Sequence, residues 1–217
     1  MAEDFWNRAQ KGQRDFWLKA RTRRTEGDPE KRRDFWNQYL HLIRRHRPFR
    51  PGDRVLDLGC GPAGIITPVD PTCERHGVDP LMDFFRREYA LSPAIHYHQQ
   101  QGESLAFEDG FFQVVTCVNV LDHTRDWQAV LREIHRVLEP GGYFLLELDT
   151  FRGFEYYRKG FKRWTRMVRR RIEKHPHTLR IRDVTGAVRR IGFQIVEQSD
   201  RPRKRRLLLR LLLRKEA

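Results

Sequence analysis

Apolar residues along this chain come in two patterns: short solid runs, and longer stretches in which they recur every three or four positions. The runs Arg54–Leu58, Glu74–Val78, Ile95–Gln99, Gln113–Val118 and Gly142–Leu148 read as buried strands. Helical spacing predicts helices over Pro29–Arg45, Leu81–Tyr89 and Arg125–Val137, the first with Asp28 as N-cap and Pro29 at its first position. Strands that alternate with helices imply a parallel sheet wound on both faces. The first crossover departs from that rhythm. Its Thr67-Pro68-Val69-Asp70-Pro71 carries two prolines, so a short or irregular segment is expected there.

The first 50 residues hold a crude aromatic repeat: Asp4-Phe5-Trp6-Asn7, Asp15-Phe16-Trp17-Leu18 and Asp34-Phe35-Trp36-Asn37. Eleven residues separate the first two copies, about three helical turns, so their aromatics fall on one face of a continuous helix. On the second helix Trp36, Tyr39, Leu40 and Ile43 form the buried side. Core packing, a cap over a ligand cleft and an interfacial helix all fit this pattern. Arg50-Pro51-Gly52-Asp53 turns the chain into the first core strand.

Candidate chemistry concentrates where that strand ends. Val55-Leu56-Asp57-Leu58 runs into Gly59-Cys60-Gly61-Pro62-Ala63-Gly64, a loop whose glycines let a ligand approach the backbone with no Cβ in the way. Fifteen residues past Gly64, His76-Gly77-Val78 ends in Asp79. An acid at the tip of the second strand, about 20 residues beyond the glycine loop, is placed to accept hydrogen bonds from ribose hydroxyls. Downstream stand Gly102-Glu103-Ser104-Leu105-Ala106-Phe107-Glu108-Asp109-Gly110, then a strand ending in Asn119-Val120-Leu121-Asp122-His123, then Leu131–Gly142 leading into the fifth strand.

This order of motifs resembles the Rossmann-like, class I S-adenosylmethionine-dependent methyltransferases of the small-molecule and glycan-pathway type, closely over residues 50–150 and loosely over 175–217. The resemblance implies a doubly wound, seven-stranded, mostly parallel sheet with an antiparallel C-terminal hairpin and, here, an N-terminal helical extension. It implies S-adenosyl-L-methionine as cofactor, held by Asp57, Gly59, Cys60 and Gly61 of the glycine loop, by Asp79 and Pro80 at the ribose, by Gly102 and Glu103 at the adenine, and by Asn119. Two positions depart from the family pattern. Gln101 stands where an acid is usual, leaving the adenine amino group to an amide oxygen or to Glu103, and Gln113 replaces the common aspartate before the fourth strand.

A sulfonium methyl is already activated, so transfer is an in-line displacement, and a base is needed only where the acceptor must lose a proton. His123, directly after the fourth strand, is the candidate base, with Asp122 as base or orienting partner. A loop-capping role suits His123 equally. His175 and His177 are placed to reach the same site. The chain lacks the Asn/Asp-Pro-Pro-Tyr/Phe signature of enzymes that methylate nucleic-acid amino groups, and it lacks a Pro-Cys nucleophile. O-methylation of a small molecule, lipid or sugar is therefore the expected activity. An RNA- or protein-directed methyltransferase and a non-catalytic cofactor-binding scaffold are the alternatives.

Charge changes the picture at the flanks. Residues 55–150 carry a balance of −9, whereas residues 1–54 carry +7 and residues 151–217 carry +16. Basic flanks suit an anionic surface, either lipid headgroups or nucleic acid, and suit equally a merely solvated arginine-rich exterior. Residues 151–178 interleave Phe154, Tyr156, Tyr157, Phe161, Trp164 and Met167 with ten Lys/Arg. That insertion fits a cover over the acceptor pocket, an interfacial helix or a base-stacking surface. Arg203–Lys215, rich in leucine, fits the last strand of the sheet or an amphipathic tail, and residues 201–206 also fit a nuclear signal. The expected division is a helical cap over 1–50 and a methyltransferase domain over 51–217. No run of 18 apolar residues and no signal-peptide region is present, Cys60, Cys73 and Cys117 have no paired spacing, and no metal-ligand spacing occurs. A cytoplasmic protein, peripheral at the membrane surface if its basic flanks bind lipid, is expected.

Overall fold

The computed structural model describes residues 2–22, 29–168 and 176–216. Two helices open the chain, α1 (Ala2–Thr22) and α2 (Pro29–His46). Strands β1 (Arg54–Leu58), β2 (Glu74–Val78), β3 (His96–His98), β4 (Phe112–Val118), β5 (Leu138–Thr150), β6 (Phe193–Arg203) and β7 (Arg206–Lys215) form one sheet in the order β3-β2-β1-β4-β5-β7-β6. Strands β1 to β5 pair in parallel, and β7 runs antiparallel to both its neighbours. The helices α3 (Met82–Glu88), α4 (Trp127–Val137), α5 (Gly153–Val168) and α6 (Ile181–Ile191) complete the chain.

Side chains of each strand alternate between two cores, as pleating requires. Leu56, Val115, Leu146, Leu211 and Leu213 pack on the α4 and α6 side. Val55, Val114, Leu145 and Leu212 pack on the other, where Tyr39, Leu40 and Ile43 of α2 and Met82 and Phe85 of α3 cover them. Helix α4 buries Val130, Leu131, Ile134 and Val137, steps of one, three and three residues that keep to one face, and starts where the Asp126 carboxylate accepts hydrogen bonds from the Gln128 and Ala129 amides. Gly192, in a left-handed conformation at φ 102°, ends α6 and turns the chain into β6.

Most predicted elements form within a residue or two of their expected bounds. The proline-bearing crossover is a series of turns with no helix between β1 and β2, as expected. Strand β5 begins four residues earlier than the apolar run suggests, because Leu138 pairs with Phe112 before a register shift resets the ladder at Val114 and Tyr143. Residues 206–215 are a strand, which settles the leucine-rich segment against a tail: Leu209, Leu211, Leu212 and Leu213 are all fully buried. Helix α2 is part of the core of the domain, with Leu40 and Ile43 fully buried.

Candidate functional site

The glycine loop is shaped by contacts that tolerate no side chain. Gly59 and Gly61 adopt left-handed backbones at φ +72° and +53°. A Cβ on Gly59 would lie 2.2 Å from Cγ2 of Val120, and one on Gly64 would lie 2.2 Å from Oδ2 of Asp57. The amides of Gly59 and Cys60 donate to the Val78 carbonyl, which hooks the loop onto the end of β2. Beneath the loop the Asp57 carboxylate accepts from Thr116 Oγ1 at 2.9 Å and from the Ile66 amide at 3.3 Å. Burial pushes its pKa up to about 7. Asp57 therefore braces the loop from inside, and Cys60 points its sulfur toward Gly77.

Asp79 stands at the carboxyl end of β2. Its Oδ2 accepts from the Gly61 amide at 3.1 Å and its Oδ1 from the Leu81 amide at 2.8 Å. Each oxygen keeps a second lone pair, and the carboxylate borders a cavity of about 300 Å³ at the carboxyl ends of β1, β2 and β4. Burial raises its pKa to about 6 against the two amide bonds, which lower it. Gly59, Pro80, Gly102 and Glu103 line the same cavity. Glu103 also accepts from the amides of Arg125 and Asp126 at 2.7 and 3.2 Å, tying the cavity floor to the start of α4. Gln101 lies in the wall beside it.

The far wall is the turn after β4. Asn119 sits at φ 60°, uncommon for a residue with a side chain, while its amide donates to the Glu147 carbonyl at 2.7 Å. The next residues form a 3-10 turn over Leu121–His123. His123 faces the cavity and bonds through Nδ1 to Gln13 Nε2 at 2.8 Å. Buried Asp122 lies behind it, with Oδ1 3.7 Å from His123 Nε2. His177 braces this turn from below: its Nε2–H donates to the Thr124 carbonyl at 2.8 Å. His175 lies outside the described residues.

Helix α1 roofs the cavity through Gln10, Gln13, Phe16 and Trp17. The Trp17 ring covers Gly61, packs edge-on against Phe85 with centroids 5.6 Å apart, and has its carbonyl held by the Tyr89 hydroxyl at 2.7 Å. In the second copy of the aromatic repeat, then, the tryptophan turns inward and Phe16 is left 48% exposed, while the side chains of Phe5 and Trp6 lie outside those described. The described residues of α5 line neither this cavity nor the one described next; Tyr156 and Tyr157 border a separate recess with Arg180 and Leu207.

A second cavity, of about 1060 Å³, meets the first at Trp17, Gly59 and Asn119. Asp57 and Cys60 line it from the glycine loop, and Trp36 and Tyr39 from α2. Trp36 is fixed by donation of its indole N–H to the Ala63 carbonyl at 3.1 Å. On the sheet side stand two buried acids of β5. Glu147 accepts from the Tyr39 hydroxyl at 2.8 Å and from Arg210 Nε at 2.6 Å. Burial and the Glu147 carboxylate drive the Tyr39 phenol well above its ordinary pKa. Asp149 pairs through Oδ2 with Arg206 at 2.5 Å. Sequence reasoning missed this second site. Its signal was present in Leu145-Leu146-Glu147-Leu148-Asp149, where two acids interrupt a strand buried on both faces.

Five parallel strands followed by an antiparallel pair, with a glycine loop after β1 and an acid ending β2, define the class I methyltransferase architecture. The chain belongs to the methyltransferase-domain family whose model matches residues 30–198. It is 36% identical over 104 residues to the ubiquinone biosynthesis O-methyltransferase of Pseudomonas aeruginosa, a match covering 44% of each chain. It is 33% identical over 107 residues to the ubiquinone/menaquinone biosynthesis C-methyltransferase of Vibrio campbellii, covering 45% of this chain and 41% of that one. The match thus spans less than half the length of these relatives. Among solved structures, the YcgJ protein of Bacillus subtilis superposes with a TM-score of 0.62 at 18% identity, over 83% of this chain and 99% of that one.

The cofactor of this family is S-adenosylmethionine, and the residues present fit it. Gly59 presents bare backbone to the cavity, with Val120 packed where its Cβ would stand, and the Asp79 carboxylate borders the same space, an acid beside exposed backbone that suits a hydroxylated ligand. Among the described residues no cluster of histidine, cysteine and acidic side chains suits a metal, and no helix is long and apolar enough to cross a membrane.

Proposed function

We propose that this chain is an S-adenosylmethionine-dependent methyltransferase that methylates a hydroxyl of a small-molecule acceptor. The observation that carries this reading is the convergence of Gly59, Asp79 and His123 on one cavity under the Trp17 roof. When bound, the cofactor supplies an activated methyl group. The protein's part is to orient the two reactants and exclude water. In this reading Asp79 and Pro80 hold the ribose, Gly102 and Glu103 border the adenine, and the loop of Asp57, Gly59, Cys60 and Gly61 takes the amino-acid end. Asn119 lies between the two cavities. His123 takes the hydroxyl proton, and Asp122, 3.7 Å from Nε2, steadies the imidazolium that results. Gln13 Nε2–H donates to the Nδ1 lone pair of the same ring, so the acceptor hydroxyl displaces that amide when it delivers its proton to Nδ1.

The two curated relatives differ in accepting atom, oxygen in one and carbon in the other, so the shared half of the domain does not fix it. A base at His123 favours oxygen, because a hydroxyl must be deprotonated. The test is calorimetry with S-adenosylmethionine followed by a screen of hydroxylated acceptors. No measurable cofactor binding would refute the reading. A tight RNA complex that persists at physiological salt would replace the small molecule with a nucleic-acid substrate.

We also propose that the basic flank meets an anionic surface of lipid headgroups. Helix α5 exposes Phe154, Tyr157 and Phe161 at 77%, 69% and 63%, on a three-four spacing with Lys159 and Lys162 alongside. That reading places the protein at the cytoplasmic face of a membrane, as a peripheral protein.

A further inference from the structure

We infer that the second cavity binds an anionic, hydroxylated aromatic acceptor, with Asp149 receiving a hydrogen bond from a hydroxyl other than the one that His123 deprotonates. The inference deepens the methyltransferase reading and rests on it for the word acceptor; the binding site stands on its own geometry.

Asp149 is only 6% exposed and lines the cavity. Arg206 occupies its Oδ2, while its Oδ1 has no hydrogen-bond partner among the described residues. A buried carboxylate oxygen left without a donor is costly, and such atoms in native proteins are explained by a water or a ligand that completes them. Glu147, two residues earlier on the same face, shows the contrast: both its oxygens are taken, by Tyr39 and Arg210. The open position belongs to Asp149.

Phe35 and Trp36 give the cavity an aromatic side, and Tyr39 carries it to the acids, with its hydroxyl on Glu147 and its ring under Arg210. Phe35, Trp36 and Tyr39 cluster with centroids 4.8 and 5.4 Å apart along the chain, and Phe35 remains 49% exposed at the edge. A flat ring laid against Phe35 and Trp36 gains apolar contact with little loss of freedom. The rim is cationic. Arg201, Arg203 and Lys204 at the β6–β7 turn line the cavity, and among the described residues none of them has a carboxylate at ion-pair distance. Arg206 and Arg210 are already neutralised by the two acids, so the three at the rim form a net positive mouth over a paired interior. A ligand that matches all three zones carries an acid group outward, a ring in the middle and a hydroxyl inward.

The probes are 3,4-dihydroxybenzoate, catechol (no acid group) and benzoate (no hydroxyl), titrated by calorimetry into full-length protein saturated with S-adenosylhomocysteine. Dihydroxybenzoate is expected to bind best. Catechol should bind more weakly by a margin that closes as salt rises, since rim charges are screened. Loss of a hydrogen bond to a charged group predicts roughly 10–100-fold weaker dihydroxybenzoate binding for Asp149→Ala. Because Asp149→Ala also strands Arg206, Arg201→Gln with Arg203→Gln, both on the exposed turn, is the companion variant; it should erase the preference for dihydroxybenzoate over catechol. Equal binding of the three probes, or dihydroxybenzoate affinity unmoved by both variants, overturns the inference. So does S-adenosylhomocysteine binding with no benzoate binding, which leaves the methyltransferase reading intact. Benzoate binding without S-adenosylhomocysteine binding supports the site and defeats that reading instead.

Discussion

Asp79 holds an ionised carboxylate in a setting that disfavours charge, and that makes its ligand role measurable. Its pKa is raised from 3.8 to about 6, so in the free protein its contribution to stability is fully present below 3.8 and is lost as pH rises through 6. Ribose hydroxyls donate to the ionised form and stabilise it. Cofactor binding should therefore release protons near pH 6, and affinity should fall as pH drops through that value. Calorimetry in buffers of different ionisation enthalpy reads the released proton, and Asp79→Asn should flatten the pH dependence. Gly59 is constrained differently. An alanine there must hold φ +72° against a strain of roughly 1–2 kcal/mol and must also displace Val120. Thermal melts of Gly59→Ala should show that loss together with weakened cofactor binding. His123 separates chemistry from binding: loss of a general base slows turnover by about 10²–10⁴-fold, so His123→Ala should cut kcat that far and leave cofactor Kd nearly unchanged. Near-wild-type turnover in that variant would leave catalysis to positioning alone.

Among the elements, α1 and β7 carry the consequences. Among its described contacts, helix α1 is held to the rest of the molecule through the Trp17 ring and carbonyl and through Gln13. Amide exchange around Gln13 and Trp17 should slow when S-adenosylhomocysteine binds, while exchange in α4, already packed on the core, should stay constant. Uniform protection of both helices would remove the roof from the mechanism. In β7, Leu211 and Leu212 face opposite cores, so truncating either to alanine should cost roughly 2–5 kcal/mol. The sheet was readable from sequence because each strand is a short apolar run punctuated by glycine or proline. So was the meeting of Gly59, Asp79 and Asn119 at one cavity, because they lie at strand ends, where spacing along the chain maps onto spacing in space. The second cavity was readable only at Glu147 and Asp149, the two acids that interrupt a buried strand. It joins α2, β5 and β7, residues 36, 149 and 206 in sequence, and only the crossing of β7 between β5 and β6 brings them together. The aromatic insertion at 151–178 was readable as an amphipathic helix, but its partner was not, since amphipathicity states that a face is apolar and leaves open what covers it.

On the scale of the whole molecule, charge is segregated. A chain of net charge +14 is acidic in balance only over residues 55–150, while basic residues crowd the β6–β7 turn and α5. Sedimentation with phosphatidylglycerol vesicles should capture the protein at low salt and release it as salt rises. Serine at Phe154, Tyr157 and Phe161 should remove whatever binding survives high salt, because only the apolar part escapes screening. Binding that is identical to neutral phosphatidylcholine vesicles would dismiss the electrostatic role. The strand order carries a last consequence, for how the molecule is built. Position six of the sheet is filled by β7, which follows every other strand in the sequence. Until it arrives, β5 presents a long, bare, leucine-lined edge, and β6 has no neighbour at all. Synthesis from the N-terminus thus yields a five-stranded half-sheet first and closes it only when residues 206–215 emerge. The second cavity is completed by that same closing stroke, so a newly made chain gains its cofactor side before its arginine-lined side.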